Sequence, residues 1–226
     1  MLYIQEYIRE IEIKEKLNQM KNMSDNNKWL SSSERKQIIK DTQDLLLIAY
    51  SGLPSQINHV YDVLVKLEFF DSPASSNHHN NFYGGLAKHS LHVVEILQDL
   101  SEKYPTFHVE GTTVIRAGLF HDLCKCKTYI LNLLKSGAVA KKPFKIEDEY
   151  PIGVHGDKSL MILLEKQIPL TDVEKMMIRY HMGTFDSLSP GYERIKKKYP
   201  QVALMSIADQ LATLIEDFEN PSSEEE

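Results

Sequence analysis

The stretch AGLFHDLCKCKTY, residues 117–129, decides how this chain is read. It closes the apolar run GTTVIRAGLF with an adjacent histidine and aspartate, His121 and Asp122, and then interleaves two cysteines with lysines. Residues 111–127 predict a short, apolar helix central to the core. Such a helix asks for more Leu and Ile at its end, because a buried histidine needs hydrogen bonds and a buried carboxylate needs a positive partner. A doublet placed there implies that the partner comes from elsewhere in the chain.

Working outward, apolar residues recur at helical spacing through most of the 226 residues. Residues 1–23 predict an amphipathic N-terminal helix. SSSERKQIIKDTQDLLLIAYSGL (31–53) opens with capping serines and Glu34 and ends near Gly52. PSQINHVYDVLVKLEFFDSP (54–73) starts at Pro54 and stops at Asp71 to Pro73. ASSNHHNNFYGG (74–85) is a polar loop, and LAKHSLHVVEILQDLSEKY (86–104) is a helix with Leu86, Ser90, Val93, Val94 and Leu97 on one face. Three further helices are expected at 156–168, 171–182 and 199–218. Gly, Pro and Lys clusters break the rhythm over 128–150, where a hairpin or irregular excursion fits. The expected fold is therefore an all-α bundle of about seven helices. Residues 1–40 are expected to be a helical extension, 41–218 the main domain and 219–226 a disordered acidic tail.

Composition narrows the class. Hydrophobic residues at 42% and charged residues at 26% suit one globular core. No apolar run approaches the roughly 20 residues needed to span a bilayer, and MLYIQEYIREIEIKEK is too charged for a signal peptide, so a cytosolic location without membrane contact is expected. The only two cysteines, Cys124 and Cys126, lie too close in sequence for a disulfide framework or a zinc knuckle. A formal charge of -6 speaks against a protein that coats duplex nucleic acid. The basic stretches KKPFK and RIKKKYP fit solvated faces, with no aromatic RNA-binding motif beside them.

His89, His121, Asp122, His155, His181 and Asp209 fall on or beside apolar helices in six segments. Each is costly alone, whereas a shared divalent cation would satisfy imidazoles and carboxylates converging from several helices. His59 and His108 are assigned to the surface. In order, GGLAKHS, AGLFHDLCK, GVHGDKS, IRYHMG and SIADQLAT resemble the HD superfamily of metal-dependent phosphohydrolases across residues 82–217. The pattern H, HD, H, H, D is most similar to the histidine-rich branch, to stand-alone bacterial and phage HD-domain hydrolases, and to the HD domain of bacterial 3′-to-5′ exoribonucleases.

That resemblance implies an HD-domain bundle holding two divalent transition-metal ions, Fe or Mn first, with Co, Ni or Zn also suited to the donors. One ion would take His89, His121, Asp122 and Asp209; the second would take Asp122, His155 and His181, with Asp122 bridging. Metals about 3.5–4 Å apart can hold a bridging hydroxide as nucleophile. Lys125, three residues after Asp122, is expected to meet a phosphate oxygen, although Cys124 stands where the family motif carries glycine. Catalytic roles thus fall to Asp122 and Lys125, and substrate contacts to Lys125, Lys158, His78 and His79. Arg179 is a weaker phosphate candidate, His92 packs on or orients His89, and Glu147, Asp148 and Glu149 are potential acceptors for histidine N–H groups. The implied substrate is a nucleotide or short oligonucleotide phosphoester, since the first 40 residues are too short and too helical for the OB-fold that precedes the exoribonuclease HD domain. A di-iron oxygenase and a non-catalytic nucleotide-binding module are the alternatives. A homo-oligomer would bury the N-terminal stripe as well as packing on the same chain would.

Overall fold

A computed structural model describes residues 30–126, 128–136, 139–147, 155–185 and 191–219. The helix expected over 1–23, Asp148, Glu149 and the tail beyond residue 219 lie outside them. Among the described residues are eight α-helices and one small hairpin: α1 (Ser32–Ala49), α2 (Pro54–Lys66), α3 (Gly85–Lys103), α4 (Gly111–Phe120), β1 (Tyr129–Leu133), β2 (Val139–Ile146), α5 (His155–Glu165), α6 (Asp172–Arg179), α7 (Tyr192–Lys198) and α8 (Gln201–Glu219). No described helix is long and apolar enough to cross a membrane.

Local chemistry accounts for the helix starts. Ser31 caps α1 by accepting from the Glu34 N–H, and the Glu34 carboxylate accepts from the Ser31 N–H at 2.9 Å. Thr171 and Glu174 form the same box at α6, with the Thr171 N–H 2.7 Å from the Glu174 carboxylate. Pro54 opens α2, where a missing N–H costs nothing. Helix α1 runs unbroken across residue 40, with Arg35 and Ile39 buried.

The bundle is organised around α3, which packs against α4 on one side and α8 on the other. Leu86, Ser90, Val93, Val94 and Leu97, the face read from periodicity, are all buried. Gly118 permits the α3–α4 approach: a Cβ there would sit 2.6 Å from the Val94 Cγ2. Gly156 does the same for α5 and α6, where a Cβ would fall 2.1 Å from the Arg179 carbonyl oxygen. Glu174 also accepts from Thr113 and Arg116 of α4, whose guanidinium reaches the Ala49 carbonyl and lies over the Tyr50 ring. This buried network ties α1, α4 and α6 together.

Residues 128–147 form the expected excursion as an antiparallel hairpin, Tyr129 opposite Ile146 and Leu131 opposite Phe144, with an irregularity before Leu133. Phe144 is fully buried and meets the Tyr83 ring edge-on at 5.1 Å. The hairpin thereby presses on the 72–84 loop that carries His79.

Several expected helices end early, two of them beside histidines. The segment 111–127 stops being α-helical at Phe120, because Asp122 adopts φ −110°, ψ 20° and the chain tightens into a 3₁₀ turn over Leu123–Lys125. The segment 171–182 stops at Arg179, leaving His181 in the following turn. Conversely, α7 forms where only a basic stretch was read; Tyr192, Ile195 and Tyr199, three and four residues apart, turn inward and are half-buried.

The close approach at Gly156 makes a prediction. Gly156→Ala should lower unfolding stability in urea by about 1–3 kcal/mol, the usual cost of overpacking, since backbone rather than a flexible side chain must yield. A wild-type unfolding midpoint would show that α5 and α6 are not held this tightly.

Candidate metal centre

The early helix ends and the two glycine contacts bring chemistry-bearing side chains to one point in the core. His89 comes from α3, His121 caps the end of α4, Asp122 follows it, His181 follows α6, and Asp209 lies in the middle of α8. His89, His121 and His181 are fully buried; Asp122 and Asp209 are nearly so. Donor atoms of His89, His121, Asp122 and Asp209 all lie within 4.8 Å of one another, the spacing of a metal-ligand set.

The imidazoles are oriented from behind. The Nδ1–H of His121 donates to the Gly118 carbonyl at 2.8 Å, and that of His181 to the Ile178 carbonyl at 2.8 Å. His89 Nδ1 donates to the Glu216 carboxylate at 2.9 Å, and the second Glu216 oxygen accepts from His92 Nδ1 at 2.8 Å. Each ring therefore aims Nε2 at the centre, the tautomer and direction a metal ligand needs.

Asp122 divides the cluster in two. Its Oδ2 lies 3.3 Å from His121 Nε2, 3.9 Å from His89 Nε2 and 2.7 Å from Lys125 Nζ, whereas Oδ1 lies 3.5 Å from His181 Nε2. Asp209 Oδ1 is 3.2 Å from His89 Nε2 and 3.6 Å from His121 Nε2. His121 Nε2, His181 Nε2 and Asp122 Oδ1 are buried without a hydrogen-bond partner. Orphaned buried atoms of this kind cost about 1–3 kcal/mol each, and three that converge fit a cation.

The electrostatics agree. Burial opposes the charge on Asp122, but Lys125 and His121 outweigh it and hold the carboxyl well below the usual range. Burial likewise opposes the charge on Asp209, but the adjoining His121 and His89 imidazoles outweigh it and hold the carboxyl well below the usual range. His121 is penalised by burial yet raised to about 10 by Asp122 and Asp209: without an ion, protons on imidazole balance the carboxylates. Burial opposes Glu216 too, but His89 and His92 keep it anionic.

Other sequence candidates distribute unevenly. His155 starts α5, is exposed, and brings a ring nitrogen within 4.8 Å of Asp122 and Cys124 ligand atoms. Lys125 is buried against Asp122. His79 is 9% exposed, with its ring 5.0 Å from that of His89 and neither nitrogen hydrogen-bonded. Burial, with Lys125 and His89 nearby, pushes its pKa down to about 3, so it is neutral. His78 is exposed, and only its backbone N–H is engaged, with Ser75 Oγ. Lys158 is half-buried one turn into α5, near His155 and Cys124. Arg179 is paired with Asp157 and stacked on Tyr180. Cys124 is buried, and burial raises its thiol to about 12, the behaviour of a filler. His59 and His108 are exposed, as is Glu147.

Glu216 escaped the sequence reading. Its signal is its position seven residues after Asp209, on the same face of α8 and amid apolar neighbours.

The chain matches the HD domain family over residues 86–214, more than half its length. It belongs to the HD domain family. That span of the HD domain contains every residue of the cluster, from His89 to Asp209, while His79 and Glu216 flank it. HD domains bind divalent metals, and the family consists generally of hydrolases. No curated protein and no solved structure matches the chain significantly.

Glu216→Gln keeps the shape of the side chain but removes the anion behind His89. Metal affinity, titrated with Co(II) or Mn(II), should fall about 10–100-fold while the circular dichroism spectrum is retained. Unchanged affinity would mean that Glu216 does not orient the ligand.

Proposed function

We propose that this HD domain hydrolyses a phosphoester of a nucleotide or short oligonucleotide with two divalent transition-metal ions, iron or manganese first. One observation carries the reading: the two oxygens of buried Asp122 face two different histidine groups, His89 and His121 on one side and His181 on the other. A carboxylate so shared is suited to bridging ions. His155, whose ring nitrogen reaches the Asp122 side of the cluster, is the remaining ligand of the second ion. Imidazole and carboxylate donors favour a transition metal over Mg or Ca, and burial keeps the neighbouring Cys124 a protonated thiol.

When bound, such ions polarise phosphoryl oxygens and lower the pKa of a water nucleophile. The chain's own residues do the rest. A cleft of about 460 Å³ opens onto the cluster, within the size range of small-ligand sites. Lys125 sits in it with its ammonium 2.7 Å from Asp122 Oδ2, positioned to neutralise charge on a phosphoryl oxygen. Neutral His79 lines the same cleft with both ring nitrogens unengaged, so it can donate to a substrate oxygen and orient the leaving side. Gln210 and Thr213 offer polar contacts, and Met182 and Leu214 an apolar wall against which a base or sugar can rest.

Protein purified without oxygen should contain close to two metal equivalents and release phosphate or nucleotide from a panel of nucleotides, cyclic dinucleotides and short RNAs. His181→Ala should remove about one equivalent and lower turnover at least about 100-fold, leaving the fold intact. Oxygen consumption on a polyol or phosphonate, without phosphoester hydrolysis, would contradict the hydrolase reading.

A further inference from the structure

Helix α8 does more than carry Asp209 and Glu216. Its outer face presents Ile207, Leu211, Leu214 and Phe218, exposed by 50%, 38%, 54% and 80% respectively. At 100° per residue these four lie within a 60° sector, a narrow seam along the helix and not a scatter of single exposed side chains. A contiguous exposed apolar strip marks an interaction site.

The spacing says what covers it. The residues follow one another by four, three and four positions, the a/d rhythm of helices that pack side by side. That rhythm reads the same from either end. Placed antiparallel against itself, the seam puts Ile207 opposite Phe218 and Leu211 opposite Leu214, so every contact occurs twice, as a two-fold interface requires.

Charge chooses the same orientation. Helix α7, directly before α8, exposes Arg194, Lys197 and Lys198, whereas the far end of α8 carries Asp217 and Glu219. Antiparallel pairing brings the basic end of one copy toward the acidic end of the other; parallel pairing sets like charges together. Opposed helix dipoles add to that preference.

We propose that two copies of this chain associate antiparallel along α8, through Ile207, Leu211, Leu214 and Phe218. The dimer has a consequence for the site. Leu214 also lines the cleft with Gln210, Thr213 and Asp217, so the second copy borders the mouth through which substrate enters. This inference stands independently of the proposed reaction.

Sedimentation velocity of the full chain tests it. The expected mass is twice that of the chain, and Leu211→Glu with Phe218→Glu should give a folded monomer, since both side chains are exposed and the core is untouched. A wild-type monomer overturns the proposal, including one whose seam is covered by its own residues 1–23. A dimer that survives the double substitution overturns it as well. Register supplies a second arm in a Cys126→Ser background. Ile207→Cys and Phe218→Cys chains, mixed and allowed to exchange, should join through a short thiol-to-thiol crosslinker. Ile207→Cys alone should not, because its two copies lie about 16 Å apart along the axis. Crosslinking of Ile207→Cys alone, or none in the mixture, contradicts the antiparallel seam.

Discussion

Burying Asp122 and Asp209 among three imidazoles at the centre of a helical bundle is the constraint on which the structure turns. An isolated carboxylate in such a place would give up its charge, since desolvating it costs several kcal/mol. Here Lys125 and the imidazoles hold both acids ionised, and the remaining orphan atoms converge to within ligand distance. The cluster is electrostatically balanced only with extra positive charge, which protons supply when no ion is bound and a divalent cation could supply in their place. Everything around it serves direction: backbone carbonyls behind His121 and His181, and Glu216 behind His89, fix which nitrogen faces inward.

The scaffold reaches this arrangement by interrupting itself. His121 and His181 both sit just past helix ends, each donating Nδ1–H to a carbonyl three residues back, so the terminal turn of the helix orients its own imidazole. Glycines at 118 and 156 let neighbouring helices come close enough for the rings to meet edge to face, with the His121 and His181 centroids 5.0 Å apart. The 72–84 loop, braced by the hairpin through Tyr83 and Phe144, holds His79 over the same centre. The clustered imidazoles and carboxylates thus come from helices and their ends, while His79, with neither ring nitrogen hydrogen-bonded, comes from a braced loop beside the cleft.

Much of this was legible in the sequence because helical burial leaves a period. The inner face of α3, the capping box of α1 and the hairpin interval all follow from spacing and turn chemistry. The His/Asp cluster was legible for a different reason: histidine and aspartate in apolar helices violate the pattern, and the violation is the signal. Glu216 carries no such contrast. A glutamate near the acidic end of a helix looks solvated, and only the packing of α8 on α3 shows it buried behind His89. The extent of α4 was misread for a comparable reason. The apolar period continues through Leu123, and the turn at Asp122 depends on local backbone geometry that composition does not mark. In α7 the run of lysines masked three inward residues.

The most direct test of the account is anomalous X-ray diffraction from crystals of metal-loaded protein, recorded at the absorption edge of the bound metal. The expected result is two peaks about 3.5–4 Å apart, one on each side of the Asp122 carboxylate. The first should fall among His89, His121 and Asp209, the second beside His155 and His181. Peaks at surface histidines with none beside Asp122 would contradict the claim that the buried cluster exists to hold cations.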